Sequence, residues 1–206
     1  MIDAFLEVFI PLFIIVNPAS TLALFSVITG KYSKKERQRT ARNASIYAMI
    51  LLIIFAIAGS GILGFLGIQI YSLRVAGGIL LGFVGLDMLR RGEQFGESPP
   101  GKEQKTDYAL VPLALPSLSG PGAITITIVS MQSASWFSLQ WWLVIIAIIL
   151  TMLLTFVIFM SSVFVIKFFG RKGMDALTRV MGLLTVAIAV QFALTGLAGW
   201  IPTLQI

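Results

Sequence analysis

Charged residues divide this chain into long apolar runs. Residues 8–30, 43–73, 108–166 and 180–206 contain no Lys, Arg, Asp or Glu. A helix needs about 20 mainly apolar residues to cross about 30 Å of hydrocarbon. The 108–166 run is too long for one crossing. It dips at Gln132-Ser133-Ala134-Ser135-Trp136, a polar turn, and so reads as two. The 43–73 run holds one helix and then a turn near Gly67. The shorter 75–86 run becomes a full span if Arg74 and Asp87 lie near its ends and snorkel. The pattern predicts an all-α polytopic membrane protein with six helices, at 3–30, 43–66, 69–90, 108–131, 140–167 and 175–197.

Composition agrees with that pattern. Apolar residues make up 57% of the 206 positions and charged residues only 12%. A soluble domain carries about a quarter charged residues, so a water-soluble globular fold is excluded. The chain has no His and no Cys. That removes the usual zinc sites, a Cys nucleophile, a Ser-His-Asp triad and any disulfide. We therefore expect neither an enzyme nor a cofactor. Met1-Ile2-Asp3-Ala4-Phe5-Leu6-Glu7 lacks a basic n-region, so the start does not read as a signal peptide.

The net charge of +6 changes meaning in a membrane. Lys31, Lys34, Lys35, Arg37, Arg39 and Arg42 fall between helices 1 and 2. Arg90, Arg91, Lys102 and Lys105 fall between helices 3 and 4, and Lys167, Arg171, Lys172 and Arg179 between helices 5 and 6. Of the 15 cations only Arg74 falls on the other side. Basic loops stay cytoplasmic, so both termini are expected outside the cytoplasm. The excess is a topology signal, and no nucleic-acid partner is expected.

Three short matches recur at nearly one offset. Ile10-Pro11-Leu12 matches Val111-Pro112-Leu113, and Asn17-Pro18-Ala19-Ser20 aligns with Gly120-Pro121-Gly122-Ala123. Arg74-Val75-Ala76-Gly77 matches Arg179-Val180-Met181-Gly182. The reading is two three-helix repeats, 1–92 and 108–206, joined by a cytoplasmic linker at 93–107 that contains Ser98-Pro99-Pro100-Gly101. Three is odd, so the second repeat enters from the opposite side. Inverted repeats are a common build of secondary transporters, with the substrate where the repeats meet.

Helices 1 and 4 carry breaking residues at equivalent places. Asn17-Pro18-Ala19-Ser20-Thr21 interrupts the first, and Pro112, Pro116 and Ser119-Gly120-Pro121-Gly122 the second. Proline removes a backbone donor and disfavours helical angles in the residue before it. Freed backbone groups at membrane depth must face protein or a watery cavity. Half-helices at 3–16 and 19–30, and at 108–118 and 122–131, are expected, with Asn17 and Ser119 as caps. Half-helix N-termini suit a carboxylate, and freed carbonyls suit an ammonium group or Na⁺. No charged residue is expected near the midplane, and Ala19, Ser20, Gly120, Gly122 and Ala123 leave little side chain there. A small zwitterion fits best. Thr125, on the half-helix after the second break, is expected to look into the site.

These residues resemble the MarC family of membrane proteins, which includes the SnatA neutral amino acid transporters. The resemblance rests on Asn17-Pro18, on Leu66-Gly67-Ile68, and on Arg74-Val75-Ala76-Gly77-Gly78-Ile79-Leu80-Leu81. It continues in Pro112-Leu113-Ala114-Leu115-Pro116 and Gly120-Pro121-Gly122-Ala123-Ile124-Thr125. It implies a six-helix inner-membrane protein that moves small neutral amino acids such as glycine and alanine outward. It also implies a substrate site at the two broken helices. Members often carry Gly and Pro where this chain has Ser20 and Ala23. That departure implies a milder first break or a contact from Ser20.

Other positions carry two readings. Arg74 and Arg179 stand at matching repeat positions, either gating a pathway or snorkelling at opposite faces. Asp87 beside Arg90 and Arg91 could carry a coupling proton or form a surface ion pair. Gly78 and Gly82, and Gly61, Gly64 and Gly67, read as helix-packing positions. Trp136, Trp141, Trp142 and Trp200 read as an outer aromatic belt. The coupling ion, Na⁺ or H⁺, stays open, as does the oligomeric state. A channel or a membrane scaffold is the alternative to a transporter.

Overall fold

A computed structural model describes residues 1–91, 108–132 and 134–204. The expected linker at 93–107, with Lys102 and Lys105, lies outside the described residues, as does Ser133. Among the described residues seven α-helices run in chain order: α1 (Ile2–Val16), α2 (Pro18–Ile28), α3 (Lys34–Phe65), α4 (Ile70–Arg91), α5 (Pro121–Gln132), α6 (Leu139–Met160) and α7 (Ser162–Trp200). A wide π-type turn segment, Ala109–Leu118, precedes α5, and a short 3₁₀ turn, Ile201–Leu204, follows α7. No strand occurs among the described residues.

Among the described residues five stretches are long and apolar enough to cross a membrane: Ile2–Ile28, Lys34–Phe65, Ile70–Arg90, Leu139–Met160 and Lys172–Trp200. The pair Ala109–Leu118 and Pro121–Gln132, bent by 60°, brings the number to six if counted as one broken span. This is the all-α polytopic fold that the apolar runs predict.

Two helix boundaries differ from expectation. The second helix begins at Lys34, nine residues before the expected 43. Ser33 caps it: its hydroxyl accepts from the Glu36 amide at 3.3 Å, and the Glu36 carboxylate accepts from the Ser33 amide at 2.8 Å. That reciprocal capping box starts a helix in polar sequence. The helix therefore starts nine residues before the uncharged run does. The fifth helix ends at Met160, before the expected 167. Residues 162–169 form a separate helical arm, because Gly170 adopts φ 64° and ψ 176°, a conformation that only glycine takes readily. Phe164 and Phe168 stack at 6.1 Å on the exposed side of that arm.

The turn near Gly67 is present. Gly67 takes φ 67°, and the Ile68 amide donates to the Leu63 carbonyl at 2.8 Å, closing α3 in a Schellman motif. In the last turns of α3 and at Gly67 the expected packing is absent: a Cβ at Gly61, Gly64 or Gly67 would meet nothing within 4 Å.

One buried cluster joins α1, α2, α3, the π segment, α5 and α6 through Leu12, Phe25, Leu52, Leu113, Ile126 and Ile148. By contrast α4 and α7 pack along their lengths on small residues. A Cβ on Gly78 would approach the Ala189 carbonyl to 2.7 Å, and one on Gly85 the Gly182 carbonyl to 2.9 Å. The expected close packing is thus observed at Gly78 but not at Gly82, where a Cβ would meet only the Ala189 Cβ at 3.9 Å. Large apolar side chains such as Phe65, Phe83 and Phe164 are exposed, which is the surface that hydrocarbon solvates.

Candidate functional site

Pro18 interrupts the first span by its chemistry. It has no N–H to give the Ile14 carbonyl, so α1 ends at Val16. Asn17 turns the chain with φ 45° and ψ 68°, the left-handed region that Asn tolerates better than most residues. Its side-chain oxygen accepts from the Ser20 amide at 3.4 Å, and Pro18 takes the first position of α2. The two halves still run on as one 27-residue span. This first break is milder than the second, in keeping with Ser20 and Ala23.

The second break is built differently. Val111–Pro112 and Leu115–Pro116 are cis peptides, and Val111 and Leu115 leave helical angles. The capping role expected of Ser119 is not the one it plays. Its hydroxyl donates backwards to the Ala114 carbonyl at 2.7 Å. Gly120 precedes Pro121, and its carbonyl accepts the first α5 bond, from the Ile124 amide at 3.1 Å. The cap position therefore carries no side chain.

A cavity of about 410 Å³ opens beside the first break. Asn17, Ser20 and Thr21 line it from α1 and α2, Val84 and Met88 from α4, and Pro112 and Ser117 from the π segment. None of its lining residues is charged. Asn17 is 6% exposed, and its amide nitrogen donates to the Met88 sulfur at 3.8 Å. A smaller cavity of about 120 Å³ touches Asn17, Pro18 and Ala19 on the α7 side.

Residues 119–125 lie apart from the large cavity. Gly122 is pressed against Leu81 and Ile15, where a Cβ would clash with the Leu81 side chain. Gly120 is backed by the Pro116 carbonyl, Ala123 is buried and Pro121 is exposed. Thr125, expected to look into the site, packs on Gly77 and donates to the Pro121 carbonyl at 2.8 Å. The second broken segment instead faces the cavity through Pro112 and Ser117. Ser117 and Met88 were not singled out from the sequence. The signal for Ser117 was its place between Pro116 and Ser119; nothing marked Met88.

The two arginines at matching repeat positions sit at the two ends of the α4–α7 pair. Arg74 lies beside Gly196, and its Nε is buried with no partner. Arg179 pairs with Asp175 at 3.0 Å and donates to the Leu89 carbonyl at 3.1 Å. Asp87 is exposed and does not line the cavity. Trp136 stays exposed, whereas Trp141 is only 9% exposed and forms an edge contact with Trp142 at 4.8 Å.

Arg37 has a second role besides charge. Its guanidinium lies 5.7 Å from the Phe25 ring centroid and donates to the Ser162 hydroxyl. Phe25 in turn stacks on Phe159 at 4.5 Å, both fully buried. Arg37 thus joins α2, α3 and α7, and Phe25 carries the link on to α6.

Comparisons with known proteins agree with this architecture. Residues 2–201 match the family described as MarC family integral membrane protein. The chain is 41% identical over 200 residues to UPF0056 membrane protein MJ1677 of Methanocaldococcus jannaschii, covering 95% of this chain and 96% of the relative. It is 32% identical to UPF0056 membrane protein YvbG of Bacillus subtilis, over 99% of each. It is also 32% identical to UPF0056 inner membrane protein MarC of Escherichia coli, over 98% of this chain and 99% of the relative. No solved structure matches.

Proposed function

The chain belongs to the MarC family of integral membrane proteins, and from that premise we propose that it is a SnatA-type secondary transporter of small neutral amino acids. The substrate is of the glycine and alanine class, and movement is outward by alternating access. The observation that carries this reading is the cavity at the first break. It offers the Asn17 amide and the hydroxyls of Ser20, Thr21 and Ser117, with no charged lining side chain. A net charge there would lack a counter-charge where charge is expensive. A zwitterion brings its own. Its carboxylate suits the positive end of α2, and its ammonium group suits the last carbonyls of α1.

Contacts between the halves support an inverted repeat of 1–92 and 108–206. Arg74 meets Gly196, and Arg179 meets Leu89, so α4 and α7 run antiparallel with equivalent arginines at opposite ends. Rocking of one half against the other is the motion such repeats allow. The basic loops face the cytoplasm in this reading, with both termini outside. The reading is non-enzymatic and needs no cofactor.

The test is flux. Purified protein in liposomes loaded with unlabelled alanine takes up labelled alanine by counterflow, with saturation. Unsaturable flux without counterflow identifies a pore, and no flux of any amino acid removes the proposal.

A further inference from the structure

A groove of about 210 Å³ lies between α3 and α6, away from the cavity at the first break. Its walls are apolar: Met49 on α3, and Ile149, Leu153 and Phe156 on α6. Two lining groups are not apolar, Arg42 and Ser45. Ser45 is 5% exposed, yet its hydroxyl has no hydrogen-bond partner. A buried hydroxyl in apolar surroundings is costly unless something bonds to it. Several helical Thr avoid that cost by bonding a carbonyl four residues back, as Thr21, Thr125 and Thr155 do. Ser45 does not, nor do Ser26, Thr151 and Thr178, but of these four only Ser45 borders the groove.

The vertical order of these groups matches one class of ligand. Arg42 is the last cation before the uncharged run 43–73, so it marks the hydrocarbon edge. Ser45 lies three residues deeper on the same helix, about 4.5 Å along its axis. Met49, Ile149 and Leu153 follow, and the latter two are exposed to the bilayer side at 44% and 55%. A phosphate, then glycerol oxygens, then an acyl chain is the order met by a phospholipid in that leaflet.

We infer that the α3–α6 groove is a specific site for one anionic phospholipid. Its phosphate pairs with Arg42, its glycerol oxygens accept from Ser45, and one chain lies along Ile149 and Leu153. Arg39 is a neighbouring exposed cation that does not line the groove, which makes it the control.

Native mass spectrometry of the full chain, stripped of lipid in detergent, tests this. Titration uses dioleoylphosphatidylglycerol or dioleoylphosphatidylcholine. Wild type binds phosphatidylglycerol about fivefold more tightly than phosphatidylcholine, the scale of one basic contact to an anionic lipid. Arg42→Gln removes that preference and Arg39→Gln keeps it. Ser45→Ala weakens both lipids, and Ile149→Trp, which fills the groove and keeps Arg42, does the same. Equal binding of the two lipids by wild type overturns the site. So does an equal loss in Arg39→Gln and Arg42→Gln, which would mean diffuse surface charge. Displacement of the lipid by glycerol 3-phosphate alone would also overturn it, because a headgroup without chains would then suffice.

Discussion

The amide nitrogen of Asn17 lies 3.8 Å from the sulfur of Met88, so the first break is tied side chain to side chain to α4. Asn17 therefore does two separable things. It holds a left-handed turn at φ 45°, and it presents an amide to the cavity. Glycine keeps the turn and loses the amide. Asn17→Gly should bind and move substrate poorly while its thermal midpoint in detergent changes little, since a Gly cap costs only a few tenths of a kcal/mol. Asn17→Ala should add about 1–2 kcal/mol of left-handed strain and lower the midpoint as well. Normal transport by Asn17→Gly would show that the amide is not used.

Ser117 and Ser119 are two residues apart and predict opposite outcomes. Ser117 lines the cavity, whereas Ser119 is 1% exposed and bonded to Ala114. Ser117→Ala should raise the KM for alanine about three- to tenfold, the scale of one hydrogen bond, with little change in stability. Ser119→Ala should cost about 1 kcal/mol of stability and leave KM near wild type. KM and thermal melts of the two variants, measured side by side, check this.

Arg37 should stabilise the fold beyond its charge. Arg37→Gln removes the cation over Phe25 and the bond to Ser162, a loss of about 1–2 kcal/mol. Arg37→Lys should recover only part of it, because an ammonium group lacks the planar fork. Thermal midpoints of the three proteins provide the comparison. If Lys restores the wild-type midpoint, charge alone suffices.

Apolar run length was a good guide to the membrane helices because hydrocarbon thickness sets it. It was a poor guide to helix ends. Glu36 and Ser33 extend α3 through polar sequence, and Gly170 splits a stretch that reads as continuous. The first break was legible because Asn17 and Pro18 act locally. The second was legible in its place, at Pro121, but not in its lining, because Val111 and Leu115 leave helical angles before it and alter which side chains face inward. Position on the half-helix after the second break points to Thr125, and the irregular segment presents Ser117 instead. Arg37 read as one of many basic loop residues, since only packing shows that it reaches Phe25.

Glycines divide by what lies opposite them. A side chain at Gly78 would press on the backbone of Ala189 and Ala193, whereas one at Gly61 would meet open space. Gly78→Leu should separate α4 from α7 and lower the yield of monodisperse protein. Gly61→Leu should leave it unchanged. Size-exclusion profiles of the two variants give the answer, and equal profiles would contradict the packing described.

The most direct test of the substrate site uses the absence of native cysteine. Ser117→Cys places a single thiol on the wall of the cavity, opposite Asn17. In purified protein, alanine or glycine should slow its reaction with a small maleimide in a saturable manner, and glutamate or lysine should not. A labelling rate unaffected by alanine at concentrations that saturate counterflow would place the substrate elsewhere.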